Sequence, residues 1–135
     1  MSLLKGRFRL ERQIGSGGMA RVLMGTDEVL GRAVAVKILR PGFAGSEISD
    51  RFRREGRTSA RLSHPNIVQV YDAGEDEFEG REISYIVMEY VPGGDLKELI
   101  DEKGPLSDGE ISRIGAGAAA ALDHAHGRGV VHRDV

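Results

Sequence analysis

The sequence predicts an α+β fold, in which an antiparallel sheet of about five strands carries one helix and is followed by further helices. In the residues before Pro92, apolar side chains alternate with other residues in several short segments, a period typical of strands. After Pro92-Gly93-Gly94 the apolar period becomes about 3.6 residues, which is typical of helices. We therefore divide the chain into two domains, residues 1–91 and residues 92–135.

The composition is that of a soluble globular domain and excludes several classes of protein. The chain is 40% hydrophobic and 30% charged, with a net charge of −2, which argues against nucleic-acid binding driven by bulk charge. It contains no cysteine, so disulfide scaffolds, thiolate zinc sites and cysteine nucleophiles are excluded. The apolar stretches are too short to cross a membrane, and the charged start is not a secretory signal. We expect a cytoplasmic domain with no nucleic-acid partner and no membrane segment.

Three alternating segments predict the first three strands. Residues 8–14 and residues 22–26 flank a glycine-rich turn and are expected to pair as a hairpin. In residues 33–39 the valines and the isoleucine share one face, which leaves Lys37 on the other face beside the small Ala35. This arrangement leaves room above the sheet for a flat ligand.

A helix is predicted over residues 46–62, because side chains of one helical face recur there at steps of four and three residues. This stripe consists of Ile48, Phe52, Glu55, Ser59 and Leu62. An unpaired carboxylate on an apolar stripe is costly, so Glu55 is expected to form an ion pair with Lys37 of the adjacent strand. The ordinary alternatives are a solvated glutamate and a lysine whose amine extends into water.

The remaining chain is expected to contain two strands and two helices. Strands are predicted at residues 67–71 and 83–91, an acidic loop between them at 75–82, and helices at 95–100 and 108–126. Ser107 and Glu110 match the S-x-x-E pattern of a capping box at the start of the last helix. That helix is expected to bury Ile111, Ile114, Ala118, Leu122 and Ala125.

The segment from Gly15 to Ala20 fits the pattern G-x-G-x-x-G/A, which has several interpretations. Dinucleotide binding requires a helix directly after the loop and an acidic residue about 20 residues later. Here a strand follows, and no acidic residue lies between Gly31 and Ala44. A P-loop is excluded, since no Gly-Lys-Ser/Thr follows. Three glycines in four residues let the backbone approach a ligand closely, and its amides suit phosphate oxygens.

The order of these motifs resembles the protein kinase family, over almost the whole chain from Phe8 to Asp134. The motifs are the glycine-rich loop from Ile14 to Val22, Val34-Ala35-Val36-Lys37, the helical Glu55, the hinge-like Met88-Glu89-Tyr90-Val91, and His132-Arg133-Asp134. Gly-Gly-Met-Ala in the loop, His64-Pro-Asn-Ile-Val and Gly104-Pro-Leu-Ser are most similar to bacterial serine/threonine kinases. The resemblance implies an N-lobe-like sheet with an αC-type helix at residues 1–91, and the first helices of an incomplete C-lobe at 92–135.

The resemblance also implies roles for individual residues. Lys37, held by Glu55, would contact the α- and β-phosphates of ATP, and Asp134 would accept the proton of the substrate hydroxyl. Met88 would be the gatekeeper, and the backbone at Glu89 and Val91 would bind the adenine edge. The nucleotide-binding set is Ile14, Gly15, Ser16, Gly17, Gly18, Met19, Ala20, Arg21, Val22, Ala35, Lys37, Met88, Glu89 and Val91.

The implied reaction is transfer of the ATP γ-phosphoryl group to serine or threonine hydroxyls of a protein substrate. Family residues that hold Mg²⁺ would lie beyond Val135, so we expect the 135 residues to be inactive by themselves. The resemblance leaves open whether a second kinase chain is also a partner. It also leaves open whether the chain is the cytoplasmic part of a membrane-anchored kinase. The alternative function is a non-catalytic nucleotide-binding or scaffold module.

Overall fold

In a computed structural model that describes residues 3–133 and residue 135, the chain forms a sheet and three α-helices. The strands are β1 (Phe8–Ser16), β2 (Ala20–Asp27), β3 (Arg32–Leu39), β4 (Val70–Phe78) and β5 (Arg81–Glu89). The α-helices are α1 (Glu47–Ala60), α2 (Leu96–Lys103) and α3 (Asp108–Gly127), and a 3₁₀ turn covers Pro41–Phe43. The described residues include no helix with the length and apolar character that crossing a membrane would require.

The five strands form one antiparallel sheet in the order β1-β2-β3-β5-β4. This confirms the predicted α+β fold with its five-stranded sheet and single sheet-associated helix. Residues 3–61 and 69–90 form one compact unit that contains the sheet and α1. Residues 62–68 and those from 91 onward form a second unit that contains α2 and α3.

The two faces of β3 contribute to different apolar clusters, as the alternating sequence predicts. Val34, Val36 and Ile38 belong to a cluster with Phe8 and Tyr85. The other face contributes to a second cluster, whose buried members are Ala20, Leu39, Phe52 and Ile86. Phe52 comes from α1, so α1 packs on the face of the sheet that carries Lys37.

The acidic loop predicted at residues 75–82 is wrong, because most of these residues belong to strands. The pairing of β4 with β5 continues to Phe78 and Arg81, and only Glu79 and Gly80 form the turn. Both turn residues have positive φ angles, 52° and 75°, as a tight two-residue hairpin requires. The acidic side chains conceal the strand pattern, since they lie on a hairpin that is largely accessible to water.

The helix predicted over residues 46–62 is present, but its buried face differs from the predicted stripe. Ser46 caps it by accepting a hydrogen bond from the amide of Ser49, and the buried residues of α1 are Ser49, Phe52 and Gly56. Glu55 is exposed, about a quarter turn from the centre of that face. The prediction that Glu55 lies on the buried stripe is therefore wrong.

Gly56 explains why α1 has this orientation. A Cβ atom built on Gly56 would lie 2.9 Å from Cγ1 of Ile86 and 3.0 Å from Cβ of Ala73. Only glycine permits this close approach of the helix to the sheet. On the same face, the buried hydroxyls of Ser49 and Ser84 lie 3.0 Å apart in a hydrogen bond between α1 and β5. These contacts direct Glu55 away from the sheet.

The capping box at the start of α3 is confirmed, but the predicted buried set of this helix is only partly correct. Ser107 and Glu110 satisfy each other's backbone amides, and these hydrogen bonds lower the pKa of Glu110. Ala125 is buried together with Ala121, which the sequence pattern did not select. Ile111, in contrast, is 55% exposed. The face of α3 that carries Gly117 lies near residues 62–68, because the side-chain amide of Asn66 donates to the Gly117 carbonyl at 3.1 Å.

An ion pair fixes the start of the sheet to the turn between β2 and β3. Asp27 is 1% exposed and accepts hydrogen bonds from Nε and Nη2 of Arg7 at 2.9 and 2.7 Å. It also accepts from the amides of Val29 and Leu30. The hydrogen bonds with Arg7 and these amides hold the pKa of Asp27 below its ordinary value, against the opposing effect of burial.

This ion pair predicts a pH dependence of stability. Because the folded-state pKa of Asp27 is lowered, its contribution is complete above the ordinary carboxyl pKa of about 3.9. The contribution is lost as the pH falls from there through the lower folded-state value. We expect Asp27→Asn to lower the free energy of urea unfolding at neutral pH and to flatten its decline in acid. Asp101→Asn, in an exposed ion pair with Lys97, is the control, and equal slopes for Asp27→Asn and the wild type would contradict the prediction.

The close approach at Gly56 predicts a second effect on stability. Gly56→Ala is expected to lower the free energy of unfolding by about 1–3 kcal/mol, because the new methyl group overpacks the contact with Ile86 and Ala73. In Gly115→Ala on α3, the added Cβ would meet no atom within 4 Å, so alanine should stabilise the helix by about 0.5–1 kcal/mol. Denaturant unfolding followed by circular dichroism measures both, and effects of the same sign would refute the packing argument.

Candidate functional site

A row of paired residues crosses all five strands on the face that carries α1. Gly15 pairs with Val22, Val22 with Lys37, Lys37 with Ile86, and Ile86 with Ala73. Directly paired residues in an antiparallel sheet point to the same side. The register therefore places Lys37 in the same row as Gly15, the first residue of the glycine-rich segment.

The neighbouring row contains further residues of the predicted nucleotide site. Ala35 lies two residues before Lys37 and pairs with Met24 on one side and with Met88 on the other. Met88 is partly buried against the cluster that contains Phe52. Val22, Ala35, Lys37 and Met88 therefore share one face of the sheet, and Ala35 is the smallest of them.

The glycine-rich loop joins β1 to β2 and stands open to solvent. The amide of Gly17 donates to the carbonyl of Ala20 at 2.8 Å, which closes the loop on itself. Met19 at its tip is 54% exposed. The preceding residue Ile14 lies at a register shift between β1 and β2, where the pairing changes from Gln13 to Gly15.

The glycines at the loop tip are not required by the packing of the protein itself. A Cβ atom on Gly18 would meet no atom within 4 Å, and one on Gly17 would meet only the Ala20 carbonyl at 3.7 Å. Neither residue has the positive φ that favours glycine. Bare backbone at an open loop is what close approach to a ligand requires, and its amides are suitable donors for phosphate oxygens.

Lys37 and Glu55 do not form the ion pair that the sequence predicts. Among the described residues no salt bridge joins them, and the Lys37 ammonium lies 5.7 Å from the centre of the Phe52 ring. That distance is within the range of a cation–π contact. The reason is the orientation of α1, which buries Phe52 and Gly56 and leaves Glu55 exposed. The role of Glu55 stays a prediction.

Two residues that contact the site were missed by the sequence analysis. Phe52 was assigned only to the apolar stripe of α1, although it lies next to Lys37. Arg40 was not selected at all, although its guanidinium donates hydrogen bonds to Ser16 and Gly17. No local signal marks Arg40, because these contacts join residues 23 and 24 positions apart in the chain.

The other predicted site residues lie outside the two rows that carry Lys37 and Ala35. Arg21 pairs with Ser16 and with Ile38 at the start of β2. Glu89 is the last residue of β5, and its carboxylate accepts a hydrogen bond from the amide of Gln69 at 3.1 Å. Val91 belongs to the second unit and is 56% exposed. Asp134 lies outside the described residues. Over the described part of the chain, no group of three or more histidine, aspartate or glutamate side chains could hold a metal ion.

Comparison with known proteins gives consistent matches. Residues 8–135 match the protein kinase domain family. The serine/threonine-protein kinase PrkC of Bacillus subtilis (strain 168) is 47% identical over 133 residues, which are 98% of this chain and 20% of that protein. The serine/threonine-protein kinase PknB of Mycobacterium leprae (strain TN) is 43% identical over 133 residues, again 98% of this chain and 21% of that protein.

A solved structure shows the same likeness. The crystal structure of the Mycobacterium tuberculosis PknI kinase domain has a TM-score of 0.77 and 37% sequence identity with this chain. The match covers 95% of this chain and 51% of that domain. The chain thus spans about a fifth of the length of the curated relatives and about half of the solved domain. With the glycine-rich loop, the lysine-bearing strand and its helix in the expected order, the chain belongs to the protein kinase family.

Proposed function

We propose that this chain is the ATP-binding part of a serine/threonine protein kinase that transfers the γ-phosphoryl group of ATP to protein hydroxyls. One observation carries the proposal: Lys37 and Val22 lie in one row of the sheet with Gly15, where the open, glycine-rich loop begins. The bare backbone of the loop and an ammonium on the same face of the sheet form a donor set that suits phosphate oxygens.

Each predicted residue has a proposed role in this function. The amides of the loop would donate to the phosphates, and Lys37 would hold the α- and β-phosphates. Val22 and Ala35 would contact the flat faces of the adenine, where the small side chain of Ala35 leaves space. Met88 would limit the depth of the adenine pocket, and backbone groups of Glu89 and Val91 would bind its polar edge.

The proposed chemical step depends on positioning and charge stabilisation. Asp134 would accept the proton of the substrate hydroxyl, and Glu55 would hold Lys37 in its phosphate-binding position. Glu55 would have to turn toward the sheet for this. Mg²⁺ would supply charge neutralisation at the phosphates, and we propose that its ligands belong to parts of the kinase domain that the 135 residues do not include.

The proposal extends to organisation, partners and location. The first unit would be the nucleotide-binding lobe, and the second the start of the helical lobe. Partners would be ATP, a protein with serine or threonine hydroxyls and a second kinase chain. A cytoplasmic location fits the absence of cysteine.

Titration with ATP tests the nucleotide site. We expect the purified protein to bind ATP, and Lys37→Met to weaken that binding by about 10-fold or more, because a charge-assisted contact with the phosphates is lost. Isothermal titration calorimetry measures the affinities. Lys97→Met is the matched control, since Lys97 is exposed on α2 in an ion pair with Asp101. Equal affinities of wild type and Lys37→Met would contradict the site.

A second candidate function is a nucleotide-binding or scaffold module without catalysis. The observation that favours it is the missing Lys37–Glu55 ion pair, because the kinase reaction requires the ammonium to be fixed on the phosphates. The two candidates differ in whether phosphoryl transfer occurs in the natural protein.

Labelled ATP distinguishes the two candidates. We expect the 135-residue chain to bind ATP without transferring label to a protein substrate, since the proposed metal ligands are not among these residues. The natural protein should transfer label, and Asp134→Asn should lower its turnover by about 10²–10⁴-fold, as expected for loss of a general base. Absence of transfer by the natural protein would favour the module without catalysis, whereas full activity of Asp134→Asn would refute the proposed role of Asp134 as the general base.

A further inference from the structure

Arg40, the residue that follows β3, forms hydrogen bonds with the glycine-rich loop between β1 and β2. Its Nη2 donates to the hydroxyl of Ser16 at 2.6 Å, and its Nε and Nη2 each donate to the carbonyl of Gly17 at 3.2 Å. Its backbone amide donates to the carbonyl of Met19 at 2.8 Å. One residue therefore contacts both limbs of the loop.

The backbone of Arg40 is itself fixed at both ends. The hydrogen bond to Met19 extends the pairing of β2 with β3 by one step beyond the pair of Ala20 with Leu39. Pro41 follows, and a proline restricts the preceding residue to extended conformations, as the φ and ψ of Arg40, −62° and 144°, show. The guanidinium thus extends from a backbone that is paired with β2 on one side and precedes a proline on the other.

The loop has little else to order it. Gly17 and Gly18 lose more backbone entropy on ordering than other residues would, and the side chain of Met19 lies mostly in solvent. The hydrogen bond from Gly17 to Ala20, the first residue of β2, closes the loop across its own ends and does not reach β3. The side-chain contacts of Arg40 with Ser16 and Gly17 connect the β1 limb of the loop to the end of β3.

The type of side chain also matters. A guanidinium can donate to two adjacent acceptors in one fixed plane, whereas a lysine ammonium acts as a compact point charge. No carboxylate of the described residues forms a salt bridge with Arg40. Its positive charge is therefore not neutralised by an ion pair at the loop, where it would favour an anionic ligand.

We propose that Arg40 is a positioning residue, which orders the glycine-rich loop before a nucleotide binds and so favours ligands with phosphate groups. This inference rests on the proposed ATP site. By holding the loop in advance, Arg40 lowers the conformational entropy that binding of the phosphates would otherwise cost. Adenosine, which has no phosphate, would gain little from an ordered loop.

Hydrogen exchange measured by mass spectrometry tests the ordering without any ligand. In Arg40→Met, the amide of Gly17, which donates to the Ala20 carbonyl, is expected to exchange about tenfold faster than in the wild type, because the side chain that holds Ser16 and the Gly17 carbonyl is lost. Arg51→Met removes the same charge from an exposed position on α1 and is expected to leave this exchange unchanged. Unchanged exchange of the Gly17 amide in Arg40→Met would overturn the proposal.

Affinities for ATP and adenosine test the effect on binding. Arg40→Met is expected to weaken ATP binding about tenfold and to change adenosine binding by less than about twofold. Arg40→Lys should restore part of the ATP affinity, since it keeps the charge but not the planar pair of donors. Ser16→Ala, which leaves Arg40 in place, should cause a smaller loss. Equal losses for ATP and adenosine in Arg40→Met would show a merely structural role and overturn the proposal.

The two measurements also separate this inference from the proposed function. If the wild type bound neither ATP nor adenosine, the proposed nucleotide site would be refuted, and with it the phosphate-related role of Arg40. If the wild type bound ATP but the loop exchange in Arg40→Met were unchanged, only the role of Arg40 would be refuted.

Discussion

The antiparallel pairing of β2 with β3 is the constraint on which the candidate site depends, because it runs without a register shift from Ala20 and Leu39 to Asp27 and Arg32. Side chains of a strand alternate between faces, so a slip by one residue would move Lys37 to the other side of the sheet. The unbroken register therefore places Val22 opposite Lys37 and keeps both on the face that α1 covers.

The same pairing also determines which residue holds the glycine-rich loop in place. β1 is less regular than β3, since its pairing with β2 shifts twice, and a Cβ atom on Gly18 of the loop that follows would meet no atom within 4 Å. Arg40 continues from the regular end of β3 and reaches back to Ser16 and Gly17. β3 thus carries Lys37, which faces the α1 side of the sheet, and directly precedes the residue that contacts the loop.

The position of α1 determines which charged side chains can meet. Gly56 lets the helix approach Ile86 and Ala73 closely, and Arg53 of α1 forms a salt bridge with Glu75 of β4 at 3.4 Å. In this orientation the ring of Phe52 lies beside the Lys37 ammonium, and Glu55 is exposed. The helix packing thus brings an aromatic ring rather than a carboxylate next to the Lys37 ammonium.

The sequence by itself determined the strands of the first hairpin, the opposite faces of β3, the capping box of α3 and the kinase-like order of motifs, because these depend on local period and spacing. Only the tertiary structure decided that β4 and β5 pair through the acidic segment, that Glu55 is exposed without a salt bridge to Lys37, and that Arg40 contacts the loop. Periodicity shows which side of a helix is apolar but does not resolve a quarter-turn rotation, since that depends on a close contact such as the one at Gly56. Contacts between residues more than 20 positions apart, such as Arg40 with Ser16, form only when the strands are paired, and no local pattern records them.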